Sequence, residues 1–471
     1  MINKKKYSQY FTTSSTLIDL MTDLLGDVQN KLILEPSVGS GNLIKNINDP
    51  TTQITAIDID NSVLKQNTNT NAQYYNNDFI KLFMEWNKTD ILNQLYDGII
   101  SNPPYGLKFD TDFKKQMKSV FGNINVNESY VLFMLLANSL LKDNGRYVYL
   151  IPASFLINNR DKSTRKTLIE KYAPTHIFVF DSKYFESIKF GYSNLCIIAG
   201  NKRKLDDIDK IIVNYSKNEF GDTEHEIFGN KLKENIENGW GEYQLTNNKN
   251  CKTLNDLGDF KHGMFIHAKN LTKFVKYLDV NNDNFFKECE LLDKRLLKNV
   301  NEMTEYEQLN GIDNEICYVP YHINAKNNTT NYFVKWNKDS VDFYKKEKYI
   351  KNNNFFKKSC IGVPAISVKI YANIYKECIY AENIIGYYLH DEKYQNILFL
   401  YLNMKHVRKI VKQITCGNPH NYIFVLKQIP IPAFTEEHIS YTNELVEKWY
   451  NDQNNISHYA ELFYEKIKDI L

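Results

Sequence analysis

The chain has 471 residues, about three times a usual domain length, and 43% of them are hydrophobic, so two or three domains around sizeable cores are expected. A formal net charge of +2 excludes any general claim of polyanion binding. Seven cysteines stand without Cys-x-x-Cys spacing or a Cys/His cluster, which excludes a structural zinc site as an expectation and points to a reducing cytoplasm.

In chain order, Lys4-Lys5-Lys6 has no apolar stretch after it and does not read as a secretory signal. Lys31 to Leu34 reads as a short buried strand. It runs into Glu35-Pro36-Ser37-Val38-Gly39-Ser40-Gly41-Asn42 and then the apolar Leu43-Ile44. Strand, Gly-rich turn and helix form the entry to a nucleotide-type site in an open α/β sheet. The third glycine of a dinucleotide fingerprint is missing, and so is the Gly-Lys-Ser/Thr of a phosphate loop. Glu35 would repel a pyrophosphate but attract a cationic ligand.

The next strand, Gln53 to Ile57, ends in Asp58-Ile59-Asp60, and an acid there commonly binds ribose hydroxyls. A further strand-end acid follows at Asp78, beside Phe79. It is placed to accept from an adenine amino group, with Phe79 packing on the ring. Each acid alone also fits a helix N-cap.

Tyr96 to Ser101 reads as a buried strand ending in Asn102-Pro103-Pro104-Tyr105. Proline fixes φ and removes a donor, and the residue before proline is pushed to extended geometry. The result is a stiff bracket with an amide oxygen, the Pro103 carbonyl and an aromatic face at Tyr105. Such a bracket suits holding a planar, amino-bearing group; the plainer alternative is a proline-rich turn.

Glu128 to Lys142 reads as a helix. Its apolar run from Val131 to Leu141 is too short to cross a bilayer, and no membrane partner is expected. A turn at Asp143-Asn144-Gly145 and strands at Arg146 to Pro152, His176 to Phe180 and Ser193 to Ala199 follow. From about Leu17 to Gly200 the alternation predicts an α/β fold: a Rossmann-like, mostly parallel sheet with helices on both faces. Asn201 to about Lys249 is polar and reads as a connection between domains.

This series resembles the S-adenosylmethionine-dependent DNA adenine-N6 methyltransferases of the gamma arrangement, with Ser8-Gln9-Tyr10-Phe11-Thr12-Thr13 similar to their N-terminal cofactor-lid motif. The likeness covers roughly residues 7 to 200. It implies S-adenosyl-L-methionine as cofactor, with Thr12, Glu35 and Ser37 toward the methionine end, Asp58 on the ribose, Asp78 and Phe79 on the adenine, and Gly39 and Asn102 also in the cofactor site. Asn102, Pro103 and Tyr105 would hold the target base. Phe185, or else Phe190, would stack on its far face; core or loop packing is the alternative for both.

The second half, about 250 to 435, is similar in pieces to DNA target recognition domains. Leu257 to Met264 looks like their opening strand, Ile316 to Tyr321 like a later one, and Leu398 to Met404 with Leu426 to Pro432 like the closing helix and Ile-Pro signature. Between Lys345 and Lys427 there are 14 Lys/Arg against 5 Asp/Glu. Such local basicity is what phosphate contact needs, although solvated lysine faces give the same count.

The expected domains are thus 1–235, a catalytic methyltransferase; 250–435, target recognition; and 436–471, a helical tail. Double-stranded DNA is the expected substrate and a cognate restriction endonuclease an expected partner. With the cofactor motifs starting near residue 8, no N-terminal nuclease is expected. Cytosine carbon-5 chemistry is set aside because no cysteine follows a proline. Cytosine-N4, RNA or protein-glutamine methylation stays open, as does a modification subunit inactive without its partner.

Overall fold

The computed structural model describes residues 12–85, 92, 94–122, 124–180, 194–215, 224–247, 251–278, 289–313, 315–323, 330–350, 359–367, 369–376, 378–452 and 455–471. The chain divides into two compact units, 1–248 with 416–418, and 249–415 with 419–471.

The first unit is built on strands β1 (Leu32–Glu35), β2 (Gln53–Asp58), β3 (Ala72–Asn76), β4 (Tyr96–Ser101), β5 (Leu141–Pro152), β6 (Pro174–Phe180), β7 (Leu195–Asn201), β8 (Lys210–Asn214) and β9 (Glu224–Phe228). They form one sheet in the order β3-β2-β1-β4-β5-β7-β6-β8-β9. Strands β3 to β5 are parallel to their neighbours, whereas β7 runs antiparallel to both β5 and β6, and β9 antiparallel to β8. The central strands are apolar along most of their length, as burial on both faces requires, with Ile33 and Leu34 of β1, Ile99 and Ile100 of β4 and Tyr147 to Ile151 of β5 all buried. Helix α1 (Ser15–Leu25) packs on β4 and β5 through Leu17, Ile18, Met21, Leu24 and Leu25. The order reverses between β1 and β4, and ligand crevices of open α/β sheets lie at such a switch point, outside the carboxyl ends of the strands.

Three expectations are corrected. No helix follows the Gly-rich turn: residues 36–46 are turns. Asn42-Leu43-Ile44-Lys45-Asn46 is held by side-chain amides instead, with Asn42 donating to the Thr12 carbonyl (2.8 Å), Asn46 to Asp19 (2.7 Å), and Asn69 to the carbonyls of Ile44 and Ile47. Asn is a weak helix former because its amide competes for the backbone in this way. Next, the segment read as a connection beyond Asn201 extends the sheet through β8 and β9. In β8 burial alternates at its start, with Ile211 and Val213 inward, so a strand was hidden in a polar stretch. Both strands fall inside the first unit. Finally, β5 starts at Leu141 and takes in Asp143-Asn144-Gly145, where the expected turn is kept as a left-handed Asn144 (φ 62°) and a shift in the pairing with β4 between Tyr96 and Gly98.

The second unit holds two sheets. One, in the order β10-β18-β15-β16, joins β10 (Gly258–His262), β15 (Cys360–Pro364), β16 (Asn373–Tyr375) and β18 (Ile384–Leu389). The other, β12-β11-β14-β13-β17, joins β11 (Val275–Tyr277), β12 (Glu290–Leu291), β13 (Tyr318–His322), β14 (Tyr332–Lys335) and β17 (Ile379–Tyr380). Here α2 (Gln395–Leu402), buried at six successive positions, packs against α4 (Glu436–Asp452) and α5 (Ile456–Ile467). The residues read as a separate tail are thus part of this unit. Between α2 and α4 lies α3 (Lys405–Ile414), with Val407, Ile410, Val411 and Ile414 inward and Lys405, Lys409 and Lys412 exposed.

Candidate active site

The carboxyl ends of β1, β2, β3 and β4 converge on one cavity of about 340 Å³. Thr12, Ser37, Gly39, Asp58, Asp78, Phe79 and Asn102 all line it, together with residues the sequence reading did not single out, Asn42, Leu107, Lys108, Phe109 and Phe133 among them. Phe79 and Phe133 stand 5.3 Å apart, ring to ring. Lys108 and Phe109 follow the bracket directly, a position that would have signalled them. Phe133 lies in a helix, Ser129–Ser139, that is buried from Ser129 to Asn138, and carried no signal.

The turn after β1 is shaped by its glycines: Gly39 and Gly41 have φ of 52° and 77°, where a side chain is strained. Asp58 crosses to this turn. Its Oδ2 accepts from the Gly39 amide at 2.8 Å and its Oδ1 from the Asp60 amide at 2.8 Å. Burial raises its pKa, and these two amides pull it back. Asp78 caps the helix that follows it, accepting through Oδ1 from Ile80 N (2.9 Å) and Lys81 N (3.3 Å). Each acid thus does the capping or turn-closing work of its structural alternative while still facing the cavity; a carboxylate has room for about four hydrogen bonds.

Glu35 does not line the cavity. It is fully buried behind Ser37, with Oε1 accepting from Ser37 N (3.1 Å) and Ser37 Oγ (3.3 Å). Its Oε2 has no hydrogen-bond partner among the described residues. Burial pushes its pKa up to about 8, opposed only in part by the Ser101 and Ser37 hydroxyls and the Ser37 amide. Ser37 Oγ also lies 2.8 Å from Ser101 Oγ and 3.3 Å from the Asn102 carbonyl, so it ties the end of β1 to the end of β4.

The bracket is fastened from below. Ser129 Oγ donates to the Pro104 carbonyl (2.5 Å) and accepts from Leu107 N (3.3 Å). The Pro103 carbonyl accepts no hydrogen bond among the described residues. Asn102 Nδ2 donates to Thr12 Oγ1 at 3.0 Å. Tyr105 is only 8% exposed and packs edge-on against Tyr130, with its hydroxyl within hydrogen-bonding reach of both Asn102 Oδ1 and the Leu150 carbonyl (2.7 Å to the latter). Its ring therefore lies beneath the bracket and does not line the cavity. Phe185 and Phe190 lie outside the described residues, as do Ser8 to Phe11.

Sheet order, strand-end acids and cavity together define a class: the first unit has the fold of the S-adenosyl-L-methionine-dependent methyltransferases, with that molecule as cofactor. The residues present fit it. A cavity lined by Asp58 and Asp78 together with Phe79, Phe109 and Phe133 suits a cationic ligand that carries a planar heterocycle, and the buried Glu35 Oε2 has no hydrogen-bond partner among the described residues.

Residues 4–185 match the family model described as Eco57I restriction-modification methylase. The chain is 32% identical over 189 residues to the Type II methyltransferase M.AccI of Acinetobacter calcoaceticus, a match covering 38% of this chain and 34% of that protein. It is 25% identical over 207 residues to the Type II methyltransferase M.BsuBI of Bacillus subtilis, covering 38% and 40%. The matches thus span less than half the length of either relative. The structure of the Type IIL restriction-modification enzyme MmeI in complex with DNA shares the fold along 99% of this chain and 72% of its own, with a TM-score of 0.55 at 10% identity.

Proposed function

We propose that this protein is a site-specific DNA methyltransferase of a restriction-modification system, of the gamma arrangement. It would move a methyl group to the N6 amino group of an adenine turned out of the duplex. The observation that carries the reading is the bracket itself: Asn102 lines the cavity, and the carbonyl of Pro103 beside it accepts no hydrogen bond among the described residues.

When bound, the cofactor supplies an electrophilic methyl on a sulfonium centre. In this reading Asp58 receives its ribose hydroxyls, Asp78 and Phe79 its adenine, and Thr12, Ser37 and Gly39 its methionine end, with Glu35 as a buried negative charge nearby. An adenine amino group is a poor nucleophile because its lone pair is delocalised into the ring. Asn102 Oδ1 and the Pro103 carbonyl would each accept one amino hydrogen, favouring a pyramidal nitrogen with its lone pair aimed at the methyl. This is positioning with electrostatic stabilisation; no covalent intermediate is needed. Extruding the base costs about a few kcal/mol, offset by stacking in the pocket. Tyr105, Phe185 and Phe190 are the candidates for that stacking. The second unit would serve target recognition, with its basic helix α3 toward phosphates.

Transfer of labelled methyl to unmethylated DNA tests this. N6-methyladenine at one short sequence is the expected product. Asn102→Ala should lose about 10²- to 10³-fold in turnover, the range seen for one stabilising hydrogen-bond partner, with cofactor affinity little changed. A variant that turns over like the parent refutes the role of the bracket. Label on RNA or protein in place of DNA refutes the substrate assignment.

A further inference from the structure

Thr12 stands where the cofactor cavity meets the catalytic amide. It lines the cavity, is 3% exposed, and accepts from Asn102 Nδ2 through Oγ1 at 3.0 Å. Its own position is fixed from the Gly-rich turn, because its carbonyl accepts from Asn42 Nδ2 at 2.8 Å. On its other side the Asn102 amide meets the Tyr105 hydroxyl through Oδ1.

An asparagine amide turns about a broad, roughly two-fold torsion and has ends of nearly equal shape but opposite chemistry. Only the oxygen end can accept a hydrogen from an amino group; the nitrogen end would set donor against donor. The Tyr105 hydroxyl does not settle the matter alone. It has one hydrogen for two acceptors, Asn102 Oδ1 and the Leu150 carbonyl, and when the hydrogen goes to Leu150 its oxygen can receive a donor. With Thr12 on one end and Tyr105 on the other, the amide plane is clamped and the torsion is no longer free.

Resting on the methyltransferase reading, we propose that Thr12 is a positioning residue whose hydroxyl holds the Asn102 amide in the plane that presents Oδ1 to the substrate amino group. This is a role beyond contact with the cofactor. The two roles separate cleanly in measurement: a cofactor contact lowers affinity for the cofactor, whereas a clamp on the amide lowers the methyl-transfer step at saturating cofactor.

The test uses the full chain with Thr12→Val, which keeps the branched shape and removes the hydroxyl, and Thr12→Ser, which keeps the hydroxyl. Single-turnover methyl transfer to DNA and the equilibrium Kd for the cofactor are read side by side. Thr12→Val should slow transfer at saturating cofactor about tenfold, the scale of one neutral hydrogen bond, over and above any change in Kd that its cofactor contact brings, and Thr12→Ser should restore the rate. Thr12→Ala gives the same split if valine unsettles the turn. A loss carried by Kd alone, an unchanged rate in Thr12→Val, or a Thr12→Ser that stays slow overturns the proposal. Failure of the parent protein to methylate DNA would instead overturn the functional reading on which it rests.

Discussion

Glu35→Gln should stabilise the cofactor-free first unit, by an amount that grows with pH. The side chain has no exposure, and burial moves its pKa from 4.5 to about 8. In the unfolded chain the same carboxyl ionises near its ordinary value. Between these two values folding must take up a proton, so stability is fully present below pH 4.5 and falls as pH rises through the window to about 8. Each pH unit inside that window removes about 1.4 kcal/mol, so at pH 7 the loss relative to pH 4.5 is roughly 3 kcal/mol. Glutamine has nearly the same shape as the protonated acid and does not titrate. Denaturant unfolding at pH 5, 6 and 7 should therefore show the variant gaining on the parent by about 1.4 kcal/mol per unit, with no further gain above pH 8. Ligand binding should report the same group. A cation arriving beside Glu35 favours its ionised form, so binding at pH 7 should release a proton, read by calorimetry in two buffers of different ionisation enthalpy. Glu35→Gln should abolish that release and weaken binding. Parallel pH profiles for parent and variant would refute the reasoning, because they would mean that Glu35 is ionised and partnered in the folded protein.

Arg165 is fully buried; its guanidinium donates to the carbonyls of Phe155 (2.7 Å), Asn158 (2.9 Å) and Ile236 (3.3 Å), and burial lowers its pKa to about 10, so it stays charged at neutral pH. Arg165→Met should strand those carbonyls and cost about 1–3 kcal/mol for each one left without a donor, seen as a lower unfolding midpoint; a variant as stable as the parent would contradict this. On α3, Lys409→Ala and Lys412→Ala together should lower the magnitude of the slope of log affinity for DNA against log salt by about 2 and weaken all sequences alike, and an unchanged slope would remove α3 from the phosphate contacts.

What the sequence made legible was what short-range chemistry decides. Strands β1, β2 and β4 and the turns that end them are written in local residue types: apolar runs, two glycines at positive φ, and an Asn before two prolines. The last two strands of the sheet, β8 and the edge strand β9, were not legible, because a strand with one half-exposed face and charged neighbours such as Lys210 and Glu226 reads like a loop until its partner is known. The missing helix after Gly41 was decided by amides from Asn42 and Asn69 reaching backbone in other segments. At the site, residue identity proved easier to read than orientation. A tyrosine after Asn-Pro-Pro can place its ring above or below the turn. Which face it takes depends on Tyr130 and on the Leu150 carbonyl, 25 and 45 positions downstream, and these draw the ring inward. The same limit applies to Thr12: its threonine hydroxyl suits a ligand contact and a clamp on Asn102 equally well. Only the 3.0 Å approach of two groups 90 positions apart distinguishes an amide that is held from one that is free to turn.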